Sequence, residues 1–175
     1  ALGSILRCSL NSSPLFSFQQ EIDLLRNYIT IQEIRYEDRL LFSLEAPPEA
    51  MQYELPKMTL LPLVENAIRY AVDENVDPCH IWVDVNLLPA EIHIFVRNTG
   101  SCFEEGILEK KDPIKKESHG FGIGLHNIQQ RIKLTYGPEY GLTVYNQEEM
   151  AVVEIRLPRK PYTGGNENVE MHDRR

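Results

Sequence analysis

A chain of 175 residues, 42% of them hydrophobic and 25% charged, has the size and composition of one globular domain with a core of its own. A net charge of −8 argues against general nucleic-acid binding, which needs a basic surface. Cys8, Cys79 and Cys102 are too scattered for a zinc site or a disulfide framework, and no apolar run is long enough for a membrane span.

Leu2, Ile5, Leu6 and Leu10 have a helix-like spacing, which Asn11, Ser12, Ser13 and Pro14 interrupt. We read the chain as entering inside a helix, as a piece of a longer protein. Ser17 and Gln20 fit a capping box. Ile22, Leu25, Ile29, Ile31 and Ile34 then predict an amphipathic helix to about Tyr36, with Glu21, Asp23, Arg26, Glu33 and Arg35 on its polar face. Leu40 to Leu44 reads as a strand, ended by Pro47 and Pro48.

Met58 to Val72 predicts a helix with Pro62 in its first turn, carrying Glu65, Asn66 and Arg69. A polar loop follows over 73–78. Ile81, Val83 and Val85, then Ile92, Ile94 and Val96, alternate as the two strands of a hairpin. Residues 99–119 hold few apolar groups and many charges, which is the composition of a long functional loop such as a lid. Leu125, Ile128, Ile132 and Leu134 or Tyr136 predict a further helix, ended by Gly137 and Pro138. Strands follow over 142–145 and 152–157, and a disordered tail is expected from Arg159 onward. This order predicts an α+β two-layer sandwich with a mixed sheet, not a doubly wound fold.

Gly120, Gly122 and Gly124 alternate with Phe121 and Ile123 just before the helix that starts near Leu125. Glycines lacking side chains let backbone N–H groups approach a ligand, and a helix N-terminus attracts phosphate. The spacing is not that of a dinucleotide fold, and no Gly-Lys-Ser/Thr follows, so neither a Rossmann turn nor a P-loop fits. Alone, the run also reads as a tight turn packed on its neighbour.

Three stretches in order decide between these readings: Leu63-Val64-Glu65-Asn66-Ala67-Ile68-Arg69, then Asn98-Thr99-Gly100, then Gly120-Phe121-Gly122-Ile123-Gly124-Leu125. They resemble the N, G1 and G2 boxes of the ATP-binding catalytic domain of sensor histidine kinases. Gln20 to Gln32 and Arg35-Tyr36-Glu37-Asp38-Arg39-Leu40 further resemble the linker of the LytS/YesM-type branch. The resemblance covers roughly residues 2–158. It implies a Bergerat-type ATP-binding fold, mostly antiparallel with helices on one face. The implied organisation is the end of a dimerisation helix and a linker over 1–16, the catalytic domain over 17–158, and a tail over 159–175.

The resemblance also implies roles. Asn66 would be the Mg²⁺ ligand beside the ATP phosphates, and Glu65 the adjacent acid that either polarises an attacking imidazole or water or binds a metal-bound water. Arg69 and Tyr70 would lie near phosphate or ribose. Asn98 takes the place of an aspartate that accepts the adenine amino hydrogen, a bond that an amide oxygen can also accept. Gly100 would turn the chain beneath the base, and Gly120 to Leu125 would hold the phosphates. Tyr70 and the turn Gln147-Glu148-Glu149-Met150-Ala151 depart from the family pattern, which has His at the first and a Gly-rich, Thr-bearing turn at the second.

The histidines are His80, His93, His119, His126 and His172, none placed where the family's phosphoacceptor precedes the ATP domain. The resemblance therefore implies transfer of the ATP γ-phosphoryl to a histidine on a dimerisation domain outside this chain. Other implied partners are a response regulator and a second copy of the full-length protein. The whole protein would be membrane-anchored with this part in the cytoplasm. Two other readings stay open: a non-kinase ATPase of the same class, using Glu65 to activate water, and a degenerate pseudokinase acting through protein contacts.

Overall fold

A computed structural model of the chain describes residues 13–73, 78–103 and 121–164. Strict alternation builds the sheet. In β4 (Cys79–Leu87), Cys79, Ile81, Val83 and Val85 are buried, and in β5 (Glu91–Asn98), Ile92, Ile94, Val96 and Asn98 are. The two strands pair antiparallel with Val83 opposite Val96, so every apolar side chain of the pair faces the same way. β6 (Gly141–Gln147) and β7 (Met150–Pro158) form the second hairpin, and β7 pairs with β5. β2 (Leu40–Glu45) runs parallel to β4 at one edge. The five-stranded order is β2-β4-β5-β7-β6, mixed and mostly antiparallel as expected.

Three helices cover the apolar face. α1 (Phe18–Tyr36) begins with the expected capping box: Ser17 Oγ accepts the Gln20 N–H at 3.3 Å and Gln20 Oε1 accepts the Ser17 N–H at 2.9 Å. Its buried stripe is Phe18, Ile22, Leu25, Ile29, Gln32 and Tyr36. Ile31 and Ile34, expected inside, are exposed, because the true stripe follows the helical period and they fall off it. Glu21, expected on the polar face, is buried.

α2 (Leu60–Ile68) continues into a π-helical turn, Arg69–Asp73. The element thus begins two residues later than expected, since Met58 takes a positive φ of 56° ahead of it. α3 (Phe121–Tyr136) begins at Phe121, so Gly122 and Gly124 lie within its first turns and not in a turn before it.

Sequence reading did not foresee the small antiparallel pair β1 (Leu15–Ser17) and β3 (Glu54–Pro56). β1 straddles the boundary expected at 16/17, and Phe16 is buried. At the other end, residues 159–162 are tied down: Glu54 N–H donates to Lys160 O at 2.8 Å, and Tyr162 N–H donates to Gln52 O at 2.8 Å. Residues 165–175 of the expected tail, and residues 1–12, lie outside the described residues.

The opposite face of the sheet is polar and aromatic. His80 stacks on Trp82 at 3.9 Å, and Arg97 pairs with Asp84.

Candidate functional site

The helix carrying Glu65 and Asn66 is gripped at both ends by side chains from the preceding segment. Its N-terminus has no cap of its own: Thr59 makes no capping bond. Instead the Glu21 carboxylate accepts three backbone N–H groups, Met58 at 2.5 Å and Thr59 and Leu60 at 3.0 Å each. These are the orphan donors of a helix start, and a negative charge suits that end. At the far end Arg39 Nη2 donates to Val72 O at 2.6 Å, a cation on the last carbonyls. Arg131 of α3 donates to Met58 O at 2.8 Å, which joins the third helix to the same junction. Burial pushes the Glu21 carboxyl up from the usual carboxylate range, against the pull of the three N–H bonds and the Arg131 charge.

Glu65 is exposed and Asn66 half-buried, while Ala67 and Ile68 turn into the core. α2 packs on β5 and on α3, so the elements that bear Asn66, Asn98 and Gly124 adjoin one another. A Cβ built on Gly124 would sit 3.5 Å from Asn66 Nδ2, ordinary contact and no clash. The protein's own packing therefore leaves room for a side chain at Gly124; its absence opens the space beside Asn66 to something else. Leu125, expected among the ligand contacts, is fully buried in the core. The backbones of Phe121, Gly122 and Ile123 are helical, and Gly120 lies outside the described residues.

Asn98 ends β5 and is 5% exposed. Its Nδ2 donates to Thr99 O at 2.9 Å and to Ser101 Oγ at 2.8 Å. With both amide hydrogens committed, the group Asn98 offers a ligand is Oδ1, an acceptor. Thr99 closes the strand ends: its N–H donates to His80 O at 3.1 Å, and its Oγ1 accepts the His80 N–H at 3.0 Å. Gly100 has φ 83°, the left-handed turn that favours glycine. Of the expected lid, residues 101–103 are described, and they are anchored: Phe103 N–H donates to Asn146 Oδ1 at 2.8 Å, and Asn146 Nδ2 donates to Phe103 O at 3.0 Å.

On the α1 side of Asn66 lies a cavity of about 380 Å³, lined by Tyr28, Gln32 and Arg35 of α1 and by Glu65, Asn66 and Arg69. Sequence reading named the last three and missed the α1 wall. The signal was present: Gln32 is a polar residue on the buried stripe of α1, where Ile29 and Tyr36 are its neighbours. Among the described residues, no three His, Cys, Asp or Glu side chains cluster as a metal site.

The family profile described as Histidine kinase matches residues 1–40. The chain is 38% identical over 160 residues to the sensor histidine kinase YesM of Bacillus subtilis, an alignment covering 90% of this chain and 26% of YesM. It is 28% identical over 162 residues to the sensor protein LytS of Oceanobacillus iheyensis, covering 90% of this chain and 28% of LytS. Over nearly its whole length the chain is similar to the YesM and LytS sensor histidine kinases. It spans about a quarter of the length of these relatives.

Solved structures agree on the fold. The nucleotide-free catalytic domain of the histidine kinase ThkA superposes with a TM-score of 0.66 at 22% identity, covering 85% of this chain and 100% of that one. ThkA in complex with the response regulator TrrA matches with a TM-score of 0.61 at 16% identity, covering 93% of this chain and 47% of that one. The architecture is that of a histidine kinase catalytic domain.

The described histidines are His80, His93 and His126. His93 lies between Glu91 Oε2 at 2.9 Å and Glu154 Oε1 at 3.1 Å, on the sheet face opposite the helices. His80 is bonded to Ser43 Oγ at 2.8 Å, and burial lowers its pKa. His126 is exposed on α3. His119 and His172 lie outside the described residues.

Proposed function

We propose that this chain is the ATP-binding catalytic domain of a two-component sensor histidine kinase, and that Glu65, Asn66, Arg69, Tyr70, Asn98, Gly100 and the Gly120–Gly124 run hold the nucleotide. The observation that carries this reading is the open space at Gly124 beside Asn66, on packed elements that also carry Asn98. Asn98 Oδ1 accepts the adenine amino hydrogen, in place of the family's aspartate. Gly100 keeps the backbone clear of the base. Mg²⁺ bound at Asn66 would supply charge neutralisation to the phosphates, taking most of its oxygens from phosphate and water.

Asn66 then orients the phosphate tail, and Arg69 adds a guanidinium beside it. Glu65, exposed one residue before Asn66, is placed to hold the proton of an incoming imidazole. The acceptor histidine comes from a dimerisation domain of the same protein outside this chain, and the phosphoryl passes on to a response regulator. The whole protein is a membrane-anchored homodimer with this domain in the cytoplasm. Among the described residues no helix is long and apolar enough to cross a membrane.

Calorimetric titration with ATP and Mg²⁺ tests the reading. The chain binds ATP, Asn66→Ala removes the Mg²⁺ dependence, and γ-labelled ATP leaves no label on the chain alone. Absence of binding at millimolar ATP would overturn the reading in favour of a scaffold without catalysis.

A further inference from the structure

Arg35 and Arg69 stand on different helices and line the same cavity, with Glu65 as the acid in its wall. Two guanidinium groups with one carboxylate leave the cavity with an excess of positive charge, which favours a further anion there. Each is held in the same manner. Arg35 lies over the ring of Tyr36 at 4.7 Å, and Arg69 over the ring of Tyr70 at 5.8 Å, the tyrosine next in sequence each time. Stacking uses the flat face of a guanidinium. Its N–H donors point outward in the plane, in the fork that matches two oxygens of a phosphate. Gln32, 8% exposed on the α1 wall of the same cavity, has an Oε1 without a hydrogen-bond partner. A buried amide in that state lacks a group that a ligand or its bound water supplies. Asn66 is shared: its amide faces Gly124 on one side and it lines this cavity on the other.

We infer that the cavity is the seat of the terminal phosphoryl group of a bound nucleoside triphosphate, with Arg35 of α1 and Arg69 of α2 as its paired contacts. The inference rests on the nucleotide site proposed above and adds to it a residue from α1, outside the three sequence motifs. Because Asn66 borders both the Gly124 space and the cavity, a phosphate tail passing Asn66 would leave its terminal group in the cavity, and Arg35 would then distinguish a triphosphate from a diphosphate.

The test compares ATP and ADP binding, each with Mg²⁺, to the 175-residue chain and to three variants. Arg35 is exposed, so its substitution leaves the fold intact, which thermal unfolding checks. Arg35→Ala is expected to weaken ATP binding about tenfold, the worth of one charge-assisted hydrogen bond, and to change ADP binding by less than about twofold. Arg35→Lys restores part of the ATP affinity. Arg26→Ala, an exposed charge on α1 away from the cavity, changes neither. If Arg35→Ala leaves ATP binding unchanged, or weakens ATP and ADP equally, the inference is overturned while the nucleotide site stands. If the unaltered chain binds neither nucleotide, the nucleotide site itself fails, and this subsite with it.

Discussion

The Glu21 carboxylate accepts the Leu60 N–H at 3.0 Å across 39 residues of sequence. The start of the helix that bears Glu65 and Asn66 is therefore capped by a side chain of α1 and not by its own N-cap residue, Thr59. Removing the cap strands three backbone donors in a buried place. Glu21→Ala is expected to lower the unfolding free energy by about 3 kcal/mol, read by urea denaturation. Glu21→Gln keeps one oxygen for Thr59 and Leu60 but turns an NH₂ toward Met58 N–H, and loses less. A loss below about 0.5 kcal/mol in Glu21→Ala would mean that water replaces the carboxylate at little cost.

The same residue gives a pH dependence. Burial raises the Glu21 pKa above its ordinary 4.5. Below pH 4.5 the folded and unfolded chains both hold the proton. As pH rises, the unfolded chain releases it first, so the stability due to Glu21 falls until the folded pKa is passed and is constant above it. Glu21→Gln lacks this titration, and the other groups cancel in the difference between the two proteins. The stability difference between the unaltered chain and Glu21→Gln should therefore shrink as pH rises from 4.5 toward 8. Paired denaturation curves across that range read it; a difference that grew with pH would show the carboxylate to be favoured by its three N–H partners over its desolvation.

Gly124 separates a packing role from a ligand role. A methyl group there meets Asn66 Nδ2 at an ordinary 3.5 Å. Alanine is also the better helix former, by about 1 kcal/mol. Gly124→Ala is expected to raise stability slightly and to weaken ATP binding tenfold or more, because the added carbon occupies the approach to Asn66. Unfolding and titration on one preparation check both. Unchanged ATP affinity would show that the ligand does not come close here.

How much of this was legible in the sequence depends on the range of the interactions. Ser17 and Gln20 announced the start of α1, because a capping box is written within four residues. The sheet strands declared themselves by alternation, and their joint burial of Ile81, Val83, Ile92 and Ile94 follows from it. Glu21 was misread because its partners are three N–H groups far along the chain, which no local pattern contains. β1 and β3 were missed because three-residue strands hold too few alternations to stand out from a loop. At the candidate site, Glu65, Asn66 and Arg69 are named by the sequence pattern and line one cavity. The cavity itself was not legible, since its α1 wall is set by the packing of two helices and by no motif.

Asn98, at the position where the resemblance implies an aspartate, leaves neither amide hydrogen unpaired. Both Nδ2 hydrogens are used, on Thr99 O and Ser101 Oγ. Restoring the acid would put a carboxylate oxygen against the Thr99 carbonyl in a buried position. Asn98→Asp is expected to destabilise the fold by about 2 kcal/mol, the cost of an unsatisfied buried charge-bearing group, and Ser101→Ala by less. Urea denaturation at neutral pH reads this. Unchanged stability in Asn98→Asp would mean that the loop after β5 rearranges to supply a new donor.

The hairpin joining β6 to β7 carries a local cost that is removable. Gln147 pairs with Met150, so the turn has two residues, Glu148 and Glu149. Both have positive φ, 48° and 65°, the left-handed conformation of a type I′ turn. That turn suits Asn-Gly, since a side chain in the left-handed region costs roughly 1–2 kcal/mol per residue. Two adjacent carboxylates add repulsion. Combining Glu148→Asn with Glu149→Gly is expected to stabilise the domain by about 2 kcal/mol, or roughly 4–8 °C in Tm at this chain length. Asn146, which holds Phe103, is left in place, so nucleotide affinity should not move. A scanning-calorimetry Tm that failed to rise would show that the two glutamates make compensating contacts at the turn.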